Sequence, residues 1–262
     1  MTKPQYWTWW LFIFSIAAGT VGLAIAQADY FRPAAKTLLI ISPIFIVTTL
    51  IFTGLILLTD RSKARRPKLL LWSFIFGATV PTWLSVYANE HLTRIAADLM
   101  ENGADWGAAF AGPISEEWSK TLGIILIMLL TSTALHRPIH GLLIGAFVGL
   151  GFQIFENITY AAIFAIEDPN SDLSGALTVT ILRSLIGIAS HWLYSAIIGV
   201  GVVALFHKKV FSFLGFFALG FGLHFMWNAP VGNAVLKLAV SLIAFVLVLL
   251  YVKRRERSLA TQ

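Results

Sequence analysis

Apolar residues run through this chain in long blocks separated by short polar or basic stretches. The blocks cover approximately Trp7 to Ala26, Thr37 to Leu58, Leu69 to Ala88, Ile114 to Thr131, Ile139 to Ile166, Leu177 to Phe206, Phe211 to Trp227 and Val235 to Val252. A bilayer core about 30 Å thick needs roughly 20 apolar residues per helix, so the pattern predicts about eight spanning helices. The expected fold class is all-α, a polytopic transmembrane helical bundle forming a single integral membrane domain over 1–262. The first block lacks a small-x-small cleavage site and is read as a retained helix. The sixth block is longer than one crossing requires and contains Arg183, which points to an interfacial or tilted early part.

Composition supports the membrane reading. With 58% hydrophobic and 12% charged residues and a mean hydropathy of +0.80, the chain lies outside the range of soluble globular domains. The net charge of +6 is therefore read through loop asymmetry, and no nucleic-acid partner is expected. The absence of cysteine excludes disulfides, thiolate catalysis and Cys-ligated metals. Basic residues cluster at Arg61, Lys63, Arg65, Arg66 and Lys68, at His136, Arg137 and His140, at Lys208 and Lys209, and at Lys253, Arg254, Arg255 and Arg257. All fall on one face when eight spans are threaded, so the positive-inside rule places both termini in the cytoplasm. The opposite face receives Glu167, Asp168, Asp172 and the segment 89–112, where Leu92, Ile95, Ala96 and Leu99 recur at helical spacing. That segment is expected to be extracytoplasmic, either a surface-lying amphipathic helix or an ordinary connection.

Four polar clusters interrupt the apolar blocks: Glu116, Glu117 and Lys120 after Pro113; Glu156, Asn157 and Tyr160; His191; and His224 with Asn228. An ionisable group at membrane depth is a functional-site hypothesis by default. Threading places all four clusters in the outer leaflet. Residues four apart share a helix face, so Glu116 can meet Lys120, and His224 can meet Asn228. Glu116 and Glu117 project about 100° apart in an α-helix, so one is expected to face the site while the other, with Glu117 the freer, serves elsewhere. Carboxylates beside imidazoles can activate water as general bases, or can hold a divalent ion such as Zn²⁺ that lowers the water's pKa. The metal alternative uses Glu156, His191 and His224. Asn228 can then donate to an oxyanion, and Lys120 can orient and charge-balance the acids. The combination suits amide hydrolysis. Each cluster also has a plainer reading: a Pro-Glu helix start, a packed histidine, or interhelical polar glue. Proton- or cation-coupled transport and a non-catalytic scaffold are the rival functions, although no half-to-half symmetry supports a transporter.

The ordered set Glu116-Glu117-x-x-Lys120, Gly149-Leu-Gly-Phe152-x-x-x-Glu156-Asn157-x-x-Tyr160, Arg183 through His191 to Gly199, and His224-x-x-x-Asn228 resembles the PrsW family of intramembrane proteases, itself similar to the CAAX prenyl endopeptidases. The resemblance covers about 113–230, the catalytic half. It implies an endopeptidase of the bacterial cytoplasmic membrane, cutting a single-span or membrane-anchored protein near the extracytoplasmic face, such as an anti-sigma factor in the first step of regulated proteolysis. Glu116 and Glu117 would be its acidic pair, with Glu156, His191 and His224 completing the site. Gln153 stands where the family often has a small residue, and the first three helices carry no distinctive match.

Overall fold

The computed structural model describes residues 6–60, 66–131 and 137–260. Arg61, Lys63, Arg65 and His136, named above as basic-loop residues, lie outside this range. The described chain is helical: α1 (Trp7–Ala26), α2 (Ala28–Thr59), α3 (Pro67–Leu99), α4 (Gly103–Gly112), a π-helical turn (Pro113–Glu117), α5 (Trp118–Leu129), α6 (Pro138–Glu167), α7 (Asp172–Ile186), a 3₁₀ turn (Gly187–Ala189), α8 (His191–Phe206), α9 (Val210–Asn228) and α10 (Ala234–Ala260). Among the described residues seven stretches are long and apolar enough to cross a membrane, with α7 and α8 counting as one. These match seven of the eight expected spans. The eighth, Ile114 to Thr131, is composite, because the π turn separates the 12-residue α5 from α4.

Helix α6 is the axis of the bundle. A row of glycines on one side and a single glycine on the other let it approach its neighbours backbone to backbone. A Cβ on Gly145 would lie 2.0 Å from the Ser195 carbonyl oxygen of α8, and one on Gly149 would lie 2.3 Å from that of His191. On the other side Gly151 faces the Phe74 carbonyl of α3, at 2.0 Å from a built Cβ. In lipid, where apolar burial no longer separates helix from solvent, such close packing of small residues drives association. The outer helices instead present large side chains to the surroundings, as with Leu39, Leu58, Val235 and Phe211, the pattern of a lipid-facing surface.

Two irregularities position the site. First, α3 continues past the expected span end at Ala88 to Leu99, then α4 folds back along it, with Gly103 against the Ala96 carbonyl. This hairpin uses the segment 89–112 and sets Pro113 to Lys120 beside Asn89. Second, the long sixth block is broken between Ile186 and His191, so His191 opens α8. The broken backbone is satisfied from the side. Gln153 Nε2 and Trp192 Nε1 both donate to the Gly187 carbonyl at 3.1 Å, and Tyr194 Oη donates to that of Ala189 at 2.9 Å. In α3 the N–H missing at Pro81 is likewise replaced, since Thr82 Oγ1 donates to the Gly77 carbonyl at 3.1 Å. Irregular backbone survives at membrane depth only with such substitutes.

The start of α6, the α8–α9 turn and the end of α10 meet at the other end of the bundle, where Arg137 pairs with Glu256. Sixteen helical residues separate His191 from His207, about 24 Å of α8.

Replacing Gly145 by Ala should lower the thermal stability of the detergent-solubilised protein by about 1–3 kcal/mol, because the α6–α8 contact has no room for a Cβ. Gly54→Ala is the control, since nothing lies within 4 Å of its built Cβ; it should be neutral or slightly stabilising. Equal unfolding temperatures for the two variants would contradict the glycine argument.

Candidate active site

The acidic pair ends a π-helical turn that leads into α5. Residues three and four apart are neighbours on a helix, and both spacings are used here. Both carboxylates reach Lys120: Glu117 Oε1 lies 2.8 Å and Glu116 Oε2 3.4 Å from Nζ. The expectation that only one of the pair faces the cluster is thus corrected. Glu117 is not the freer one either; it is fully buried, and its Oε1 also lies 2.8 Å from His224 Nδ1.

Lys120 Nζ is also 3.2 Å from His191 Nδ1 and 3.9 Å from the centre of the Phe152 ring. An ammonium has only donors, so His191 Nδ1 must accept. Its proton is therefore assigned to Nε2, which faces Glu156 Oε2 at 3.0 Å. On the other histidine, Asn228 Nδ2 donates to Nε2 at 3.2 Å and to the Ala108 carbonyl at 3.1 Å. His224 then carries its proton on Nδ1 and gives it to Glu117. The two rings stand edge to face, 4.9 Å apart, and Tyr194 stacks on His224 at 5.5 Å. The lone-pair nitrogens, His191 Nδ1 and His224 Nε2, lie 3.6 and 3.9 Å from Glu116 Oε2.

Every residue singled out in the sequence is drawn into this one network or its wall. Asn157 Oδ1 accepts from Arg183 Nε at 2.8 Å, Arg183 also pairs with Glu156, and its guanidinium lies 4.0 Å over the Tyr160 ring. Sequence reasoning missed three members. Arg183 stands in the family motif but carries no role in the sequence reading, which makes its stretch interfacial or tilted, although a lone charge in an apolar block is the signal. Asn89, which donates to Glu116 Oε1 at 3.1 Å and accepts from Ser115, was placed at the start of a connecting segment, and Ser115 itself was passed over. A cavity of about 240 Å³ opens onto the network, lined by Glu116, Glu156, Asn157, Arg183, His191, His224 and Asn228. Glu117 and Lys120 stand behind it, fully buried. Gly112 keeps the cavity open, since a Cβ there would lie 2.8 Å from Asn228 Nδ2 and 3.4 Å from Glu116 Oε1. At roughly 30 Å³ per water, the space admits several waters or a short piece of peptide.

With neutral imidazoles, three carboxylates face two cations, Lys120 and Arg183, leaving one negative charge at the site. Glu116, Glu117, His191 and His224 also each offer a ligand atom, and these four atoms lie within 4.8 Å of one another. Glu117 Oε2 is buried without a hydrogen-bond partner. The donor types, the excess charge and this orphaned oxygen all fit a divalent metal ion. The ligand set anticipated from sequence shares its two histidines with this group. Glu156 instead stands outside His191, on the ring nitrogen away from the group and paired with Arg183.

A buried carboxylate–imidazole cluster open to a cavity within membrane-length helices has the groups that hydrolysis inside a membrane requires. The sequence profile described as PrsW family intramembrane metalloprotease matches residues 65–252, and the chain belongs to that family. It is a multi-pass membrane protein and an intramembrane peptidase. No curated protein and no solved structure matches it.

Lys120→Met should cost about 3–5 kcal/mol of stability, because it strands two buried carboxylates. Adding Glu117→Gln should restore part of the loss. Denaturant unfolding of the single and double variants checks this, and strictly additive losses would show that Lys120 and Glu117 are not coupled.

Proposed function

We propose that the protein hydrolyses a peptide bond of a single-span or membrane-anchored protein near the extracytoplasmic face, as the first cut of regulated proteolysis. An anti-sigma factor is the type of substrate that family resemblance suggests. The observation that carries the mechanism is the division of labour in the acidic pair. Glu116 lines the cavity within reach of both imidazoles, whereas Glu117 lies behind it.

Glu116 takes the proton of a water in the cavity as that water's oxygen bonds to the scissile carbonyl carbon. Asn228, held at the cavity wall by its bond to the Ala108 carbonyl, releases His224 Nε2 and turns that second N–H to the oxyanion. The C–N bond then breaks, and Glu116 returns the proton to the leaving amine. Lys120 balances the two carboxylates and fixes their direction. Glu117 orients His224, while Arg183 and Glu156 orient His191, the outer-partner arrangement that holds imidazoles in one tautomer. A divalent ion such as Zn²⁺, held by Glu116, Glu117, His191 and His224, would add Lewis acidity and ease deprotonation of the water.

The sidedness rests on charge. Arg137, Lys209 and Arg255 gather at the end away from the site, and the positive-inside rule turns that end to the cytoplasm. The cavity therefore opens toward the outside of a bacterial cytoplasmic membrane, with both termini inside.

In proteoliposomes containing a single-span substrate, Glu116→Gln should lower the cleavage rate by about 10²–10⁴ with the fold retained. Asn228→Ala should cost roughly 10²–10³. A fully active Glu116→Gln protein would refute the assignment. Glu156→Gln and Arg183→Gln, which remove outer partners, should cost only about 10–100-fold. Full activity in rigorously metal-free protein would eliminate the Lewis-acid contribution and leave the general-base route.

A further inference from the structure

We propose that the cleft between α8, α9 and α10, at the end of the bundle away from the active site, binds the phosphate headgroup of an anionic phospholipid. The cleft has a volume of about 240 Å³, with an apolar floor that includes Val200, Val203 and Phe216 and a rim that includes Lys209 and Arg255. A soluble anion has no use for such a floor. An amphiphile does, since its chain can lie along Phe216 and Leu259 while its charge meets the rim. Basic pockets between helices at the cytoplasmic side of a membrane are suited to anionic headgroups.

The rim is built to receive a ligand. Lys208 adopts φ 61°, uncommon for a residue other than glycine, and this closes the α8–α9 turn, with the Lys209 amide 2.9 Å from the Ala204 carbonyl. Lys209 is thereby fixed at the head of α9. Arg255 is braced on Tyr251, with Nε 3.3 Å from the phenol oxygen and the guanidinium 5.6 Å from the ring. Its remaining N–H donors and its charge stay available to a phosphate. Charge compensation from the protein is spent elsewhere. Glu256, next in sequence, pairs with Arg137 and accepts from the Ile139 amide at 3.3 Å. Among the described residues no carboxylate pairs with Lys209 or Arg255.

The site also has a mechanical meaning. Lys209 is the N-cap of α9, which carries His224, and Arg255 belongs to α10, so one phosphate would tie two peripheral helices together below the catalytic layer.

The test uses the full chain in neutral detergent, with bound lipid counted by native mass spectrometry during titration with phosphatidylglycerol, with phosphatidylcholine of the same chains, and with inorganic phosphate as competitor. The protein should bind phosphatidylglycerol about tenfold more tightly than phosphatidylcholine. The pair Lys209→Gln and Arg255→Gln should lose that preference, and the charge-conserving pair Lys209→Arg and Arg255→Lys should keep it within about twofold. Neutralising Lys36 and Arg94 instead, both on other helices, should leave it intact. The proposal is overturned by equal affinity for the two lipids, by a preference that survives the glutamine pair or fails in the conserving pair, or by displacement with inorganic phosphate alone.

Discussion

One ammonium group holds the catalytic layer together. Lys120 Nζ, itself fully buried, touches two carboxylates, an imidazole and an aromatic face. Taking any of these charges out of water alone is prohibitive, and they are tolerable only as a set. The π turn that carries both glutamates joins α4 to α5, and the return of α4 along α3 brings it next to Asn89. Lys120 also selects the tautomer of His191, and so decides which ring nitrogen keeps a lone pair.

Rigidity comes from helices rather than loops. Glu156 lies on α6, His191 opens α8, and His224 lies on α9, each locked by backbone approach or lateral hydrogen bonds. Gln153 shows how this works. It occupies a position where the family often carries a small residue, and here its amide is buried and bonded to the break before α8. The same side chain lines the cavity and fastens the helix start that presents His191.

Much of this was legible in the residues. Period and length gave the spans, because lipid imposes one rule on every helix. The i,i+4 relations of Glu116 with Lys120 and of His224 with Asn228 survive intact, since they depend on local geometry alone. What escaped depended on neighbours. Glu117 stands three residues before Lys120, a spacing that also shares a helix face, and its other partner, His224, comes from a different helix. Arg183 looked interfacial because its partners, Glu156 and Asn157, come from a different helix. The break at Gly187 to Ser190 contains no proline, and nothing in the local sequence announces that Gln153, Trp192 and Tyr194 will supply the missing hydrogen bonds. Asn89 was lost because α3 outruns its apolar block.

The setting of the cavity carries a consequence for recognition. Glu116 faces a cavity walled by side chains of α3, α6, α8 and α9, and a peptide bond inside an α-helix keeps its carbonyl engaged in an i→i−4 hydrogen bond and screened by the neighbouring turns. If the proposed substrate is a spanning segment, it would have to open where it meets the site before Glu116 could direct a water at its carbonyl carbon. Selectivity would then include how readily a segment comes undone, and residues that weaken a helix, such as glycine or proline, would raise susceptibility.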